Sequence, residues 1–156
     1  MKFILAVVAV LIAATARADN AYVIDGDEGG FISSYESHYV ALKLSRIPVQ
    51  IAGDCISACT LVLSLPKDQV CAWPEARLGF HYATGSDDKI DPQATREVAE
   101  RYYPVEVAVW FLAQQPNKDN DPIFRDASDF FAKCPGDEPE YLKRKKLNDP
   151  IVGVPE

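Results

Sequence analysis

At 156 residues, 48% of them apolar, the chain has the size of one domain and enough apolar material to bury a core. Its formal charge is −7, and its one dense basic run, Lys143-Arg144-Lys145-Lys146, stands among Asp137, Glu138, Glu140 and Asp149. That balance would not neutralise phosphates, so nucleic acid is excluded as a partner and the basic run reads as a solvated helix end.

The chain opens with Lys2, an unbroken apolar run over residues 3–14, and then Ala16-Arg17-Ala18. A charge, an apolar stretch and small residues at the two positions read by signal peptidase form the order of a secretory signal. The run is shorter than the ~20 apolar residues that span a bilayer. Cleavage after Ala18 is therefore expected, with a periplasmic or secreted location and no stable membrane insertion afterwards. No cysteine follows the cleavage site, so a lipid anchor is not expected. Losing Lys2 and Arg17, but no acid, takes the formal charge from −7 to −9.

Residues 21–25 (AYVID) read as a strand and 26–30 (GDEGG) as an acidic, flexible turn. Over 32–46, Tyr35, Tyr39, Leu42 and Leu44 fall at helical spacing, and Pro48 closes that helix. Residues 49–52 form a second strand, and Gly53-Asp54 turns the chain. Residues 57–65 (SACTLVLSL) read as a buried apolar helix ended by Pro66. Short strands are expected at 70–73 and 77–82, around Trp73-Pro74-Glu75. A polar loop over 84–91 leads to Asp91-Pro92, an N-cap and first-turn pair that starts a helix reaching Tyr103. A second helix follows Pro104 over 105–115. After a polar loop at 116–122, residues 123–133 read as a short helix. Beyond Cys134, proline, glycine and charge predict a loosely ordered tail over 135–156. Alternating strands and helices define an α/β domain over residues 19–134 with a mostly parallel sheet.

The four cysteines, Cys55, Cys59, Cys71 and Cys134, form an even set, which outside the cytoplasm reads as two disulfides. All three pairings remain open. Cys55 and Cys59 lack the matching second pair that a zinc site needs, so no metal is expected.

Three features could carry chemistry, in this order: Gly29-Gly30, then Gly53-Asp54-Cys55-Ile56-Ser57-Ala58, then Leu78-Gly79-Phe80-His81. A serine at a strand-to-helix turn sits at the positive end of the helix dipole. A glycine pair after a neighbouring strand leaves N–H groups free to face an anion. A histidine at the end of a later strand can take the serine's proton. Taken singly, Ser57 is an ordinary N-cap, Gly29-Gly30 an ordinary turn and His81 an ordinary core histidine. The combination in this order is what points to a nucleophile, a base and an oxyanion hole.

Residues 23–83 resemble the Clp-protease/crotonase superfamily, in particular its small exported bacterial Clp-protease-like members. The resemblance lies in D-E-G-G-F-I from Asp27, G-D-C-I-S-A-C-T-L-V-L from Gly53, and A-R-L-G-F-H from Ala76. From Gly30 to Ser57 is 27 residues and from Ser57 to His81 is 24. The resemblance implies a core of ββα-type repeats and a serine hydrolase acting on a peptide or acyl substrate without a cofactor. Ser57 would be the nucleophile, His81 the base, and the N–H groups of Gly30 and Ala58 the oxyanion hole. An acid would complete the triad; Asp126 and Asp129 lie in the right region, with Asp126 the first choice. Assembly of several copies is compatible with the family. The chain departs from the pattern in lacking the extra N-terminal strands of the compartmental protease. It also has Glu28 before the glycine pair, Tyr82-Ala83 after His81, and two cysteines flanking Ser57. Two alternatives stand beside the hydrolase: an inactive relative that binds a peptide or partner protein in the same cleft, and a disulfide-stabilised structural domain.

Overall fold

The computed structural model describes residues 20–115 and 119–148, so the export signal expected over residues 1–18 lies outside the described residues. Strand β1 (Tyr22–Ile24) leads into helix α1 (Ile32–Ser45), and β2 (Val49–Ile51) then returns alongside β1. Strand β3 (Asp54–Ile56) runs straight into a 3-10 helix, Ser57–Ser64. Strands β4 (Val70–Ala72) and β5 (Arg77–Phe80) follow, then helices α2 (Pro92–Tyr102) and α3 (Val105–Leu112). The chain closes with β6 (Ile123–Asp126), a 3-10 turn at Ala127–Asp129, β7 (Ala132–Lys133) and helix α4 (Glu140–Asn148).

The strands form two sheets. The first, in the order β1-β2-β4-β7, is parallel throughout. The second, β3-β5-β6, pairs β3 with β5 in parallel and β5 with β6 antiparallel. This is an α/β domain with a mostly parallel arrangement, as the alternation of elements implies. The chain passes from one sheet to the other at Gly26 and Gly53. A Cβ on Gly53 would lie 2.8 Å from the Gly26 backbone nitrogen, so only glycine allows so close a crossing. Beyond the crossing, Asp27 bridges to Cys55, donating its N–H to the Asp54 carbonyl and accepting from Ile56 N, both at 2.8 Å.

Val49 and Ile51 on β2 and Leu78 on β5 are fully buried, and Phe80 is 1% exposed. Each large side chain so buried contributes about 1.5–3 kcal/mol. Phe80 packs edge-on to Tyr103 and Trp110, which ties the end of β5 to α2 and α3. Tyr39 and Leu42 form the buried stripe of α1, with Tyr35 partly covered beside them; Leu44, at the edge of the expected stripe, faces solvent. The N-cap expected at Asp91 is present, its carboxylate accepting from Ala94 N at 2.9 Å.

Three local expectations are corrected. Residues 54–56 form a strand, because they pair with Arg77–Gly79 and not with their sequence neighbours. Residues 123–133 are two short strands around a 3-10 turn, because Ile123, Phe124, Arg125 and Asp126 pair with Phe80, Gly79, Leu78 and Arg77. The expected tail is docked in part: α4 buries Leu142 to 3% exposure beside Trp73 and Cys134.

The four cysteines pair as Cys55–Cys59 and Cys71–Cys134. The second bridge ties β4 to the chain just after β7. Two disulfides are compatible with an oxidising compartment. No helix of the described residues is long and apolar enough to cross a membrane.

Candidate active site

Ser57 is the first residue of the 3-10 helix and has φ 58, in the left-handed region. For a residue with a Cβ that conformation is unfavourable by roughly 1–2 kcal/mol and persists only where its surroundings enforce it. Here they are explicit. The Cys55–Cys59 disulfide closes the turn around Ser57. Thr60 Oγ1 donates to the Ser57 carbonyl at 2.6 Å and shares a 2.6 Å hydrogen bond with the Tyr103 hydroxyl. The Tyr39 hydroxyl donates to the Cys59 carbonyl at 2.9 Å. Burial, and then the nearby charge of Asp27, push the Tyr39 phenol far above its ordinary range. It therefore stays a hydrogen-bond donor at any physiological pH.

The glycine turn packs directly on this corner. Gly29 has φ 85, and a Cβ there would stand 2.6 Å from both the Ile56 carbonyl oxygen and the Ser57 Cβ. The Asp27 carboxylate holds the turn, accepting from Gly29 N at 2.8 Å and from the Tyr35 hydroxyl. Gly30 N donates in none of the turn and loop hydrogen bonds of the described residues, and Ala58 N lies in the first turn of the 3-10 helix, where main-chain N–H groups lack an intrahelical acceptor. A Cβ on Gly29 would also stand 2.9 Å from Ala58 N, so the glycine turn lies against the start of this helix.

His81 follows β5 directly and shares a cleft of about 790 Å³ with Ser57, Ala58, Gly29 and Gly30. Ile32, Leu61, Val98, Tyr103 and Phe111 give the cleft an apolar wall, and Glu28 and Asp88 supply its acidic side chains. Neither lysine nor arginine lines it among the described residues. His81 Nδ1 lies 2.8 Å from the Tyr82 carbonyl oxygen. The carbonyl contact calls for a proton on Nδ1, which leaves the Nε2 lone pair free. The donor-only Asn120 Nδ2, 3.3 Å from the same nitrogen, would call for the other tautomer, and the 2.8 Å contact is the shorter and stronger of the two. No hydrogen bond among the described residues joins Ser57 Oγ to His81. In unliganded sites such contacts are commonly long and tighten only with substrate.

The acids nominated from sequence are not brought to His81. Asp126 is exposed and in register with Arg77, at the opposite end of β5 from His81. Asp129 is paired with Arg125 at 2.7 Å. What stands near His81 instead is Asn120, with Nδ2 3.3 Å from Nδ1. Its amide also brackets Tyr82, accepting from the Tyr82 N–H at 3.1 Å and donating to the Tyr82 carbonyl at 2.8 Å. Nothing in the sequence marked Asn120, which sits in a polar loop 39 residues from His81. Thr60 and Tyr39 likewise carry no sequence signal beyond their places in apolar helices.

The fold and cleft together define an α/β domain in which a left-handed serine, a glycine turn and a histidine share one apolar-walled cavity. No family model matches the chain, and no curated protein gives a significant match.

Proposed function

We propose that the protein is an exported serine hydrolase of the Clp-protease/crotonase-like type, acting on a peptide or other acyl group with an apolar side. The observation that carries this reading is the left-handed Ser57 beside Gly29, in one cleft with His81. Strained serines at strand-to-helix corners expose their hydroxyl, as in the nucleophile elbow of other hydrolases. In the first half-reaction, Ser57 Oγ attacks the substrate carbonyl carbon while His81 Nε2 takes the hydroxyl proton. The N–H groups of Gly30 and Ala58 hold the oxyanion. Collapse of the tetrahedral intermediate breaks the bond to the leaving group, which carries away the proton from His81. Water then attacks the acyl-serine by the same route, releasing the acid and restoring Ser57.

Incubating the mature protein with a serine-directed fluorophosphonate tests this. Adduct formation at Ser57, lost in both Ser57→Ala and His81→Ala, is the expected result. An unlabelled wild type, or label retained in Ser57→Ala, would sink the assignment. The second reading, an inactive relative that binds a peptide in the cleft, draws on two facts of the described residues: no hydrogen bond joins Ser57 to His81, and Asp126 lies at the far end of β5 from His81. It predicts saturable peptide binding with no adduct.

A further inference from the structure

We infer that the third member of the site is a main-chain group, the carbonyl of Tyr82, and that Asn120 is the positioning residue that aims it. This rests on the serine hydrolase reading for its catalytic meaning, but its geometry stands independently. A histidine acting as base through Nε2 needs Nδ1 protonated and held by an acceptor. The acceptor here is the Tyr82 oxygen at 2.8 Å. A carbonyl one residue away on the same chain is free to rotate out of line unless something fixes its peptide plane. Asn120 does so from outside: its amide oxygen takes the Tyr82 N–H and its amide nitrogen holds the Tyr82 carbonyl, as a neighbouring strand would. That double contact also settles which way the amide faces, since an N–H needs an acceptor and a C=O a donor. With the Tyr82 carbonyl already bound to Asn120, its second lone pair is directed to His81. Asn120 itself has φ 57, a conformation asparagine tolerates better than most residues.

A neutral carbonyl orients the imidazole as a carboxylate would, but stabilises the imidazolium less. The arrangement therefore suits a slow hydrolase, and a carboxylate placed at 120 should strengthen the base. The other titratable side chains sharing the cleft are Glu28, Asp88 and Tyr103, and Asp119 and Asp121 flank Asn120 in the chain.

The experiment uses the mature protein with nitrogen-15 in its two histidines, His81 being assigned by His81→Gln. Wild-type His81 should appear as the Nδ1–H tautomer when neutral. Asn120→Gly keeps the backbone conformation and removes the amide. It should move His81 to a mixture of tautomers and slow fluorophosphonate labelling by on the order of tenfold, with thermal unfolding little changed. Asn120→Asp should recover the Nδ1–H tautomer and shift the labelling-versus-pH curve to higher pH, because a carboxylate favours the charged imidazole. An Nε2–H tautomer in the wild type, or an Asn120→Gly protein with unchanged tautomer and rate, would overturn the inference. Absence of labelling in the wild type would remove the hydrolase reading instead, and the tautomer comparison would still decide this one.

Discussion

Ser57 shows how a single residue can be held against its own preference. Its φ of 58 is a conformation that glycine adopts freely. Ser57→Gly should therefore relieve roughly 1–2 kcal/mol of strain and give back part of it through the more flexible unfolded chain. The expected outcome is a urea midpoint close to wild type with labelling abolished; a large loss of stability would contradict the strain. Gly29→Ala is the opposite case. Its Cβ would meet the Ile56 carbonyl and Ser57 Cβ at 2.6 Å, in a backbone region unsuited to alanine. A loss of at least ~2 kcal/mol is expected in chemical denaturation, with slower labelling because the corner must shift. Asp126→Asn should leave labelling unchanged, since Asp126 lies at the Arg77 end of β5.

Among the elements, the two disulfides do different work. Cys71–Cys134 spans 63 residues, so the chain-entropy model assigns it about 4 kcal/mol; Cys55–Cys59 spans four, and about 2 kcal/mol. Replacing Cys71 and Cys134 together by alanine should lower stability more, while the folded fraction still labels at the wild-type rate. Replacing Cys55 and Cys59 should lower stability less and labelling more, because that bridge closes the turn carrying Ser57. Denaturation curves and labelling rates on the same samples separate the two effects. The elements also show where sequence reading stops. Residues 32–45 and 92–102 were legible as helices from apolar spacing and the Asp91 cap, both local signals. Residues 123–126 carry a pattern compatible with a helix, and only pairing with β5, over 40 residues away, makes them a strand.

For the molecule as a whole, pH and charge provide the remaining tests. Burial pushes the Tyr103 phenol up from 10.0 to about 12, opposed by its hydrogen bond with Thr60. Between those values the unfolded chain has released the proton and the folded protein has not. The unfolded state then binds fewer protons, so stability falls as pH rises. Below pH 10 the contribution is fully present; across the window it declines by about 2–3 kcal/mol, as the two-unit difference implies. Urea midpoints measured through that range should fall, and less so in Tyr103→Phe. The formal charge of −7 and the Glu28 and Asp88 side chains of the cleft favour neutral or cationic substrates. Matched esters that differ only in charge should react faster when cationic than when anionic, and the gap should narrow as salt is added. Equal rates would show that the acids are too well solvated to matter.

The order of residues alone was enough to imply an α/β alternation, an even set of cysteines, and Ser57, His81, Gly30 and Ala58 as the groups worth placing. The alternation and the cysteine count follow from spacing and residue type within short windows, where hydrophobic period and side-chain inventory are local properties; the four site residues come from the resemblance of residues 23–83 to the Clp-protease/crotonase pattern. Tertiary structure alone decided that Cys55 pairs with Cys59, that Ser57 is left-handed, and that Asn120 and Tyr82 stand at His81 where Asp126 had been expected. The place of Asn120 at His81 and the packing of Gly29 against Ser57 depend on contacts between segments far apart in the chain, and the short Cys55–Cys59 turn is fixed only within that packing. They are set by which strands pair and which surfaces bury together, and no local pattern encodes that.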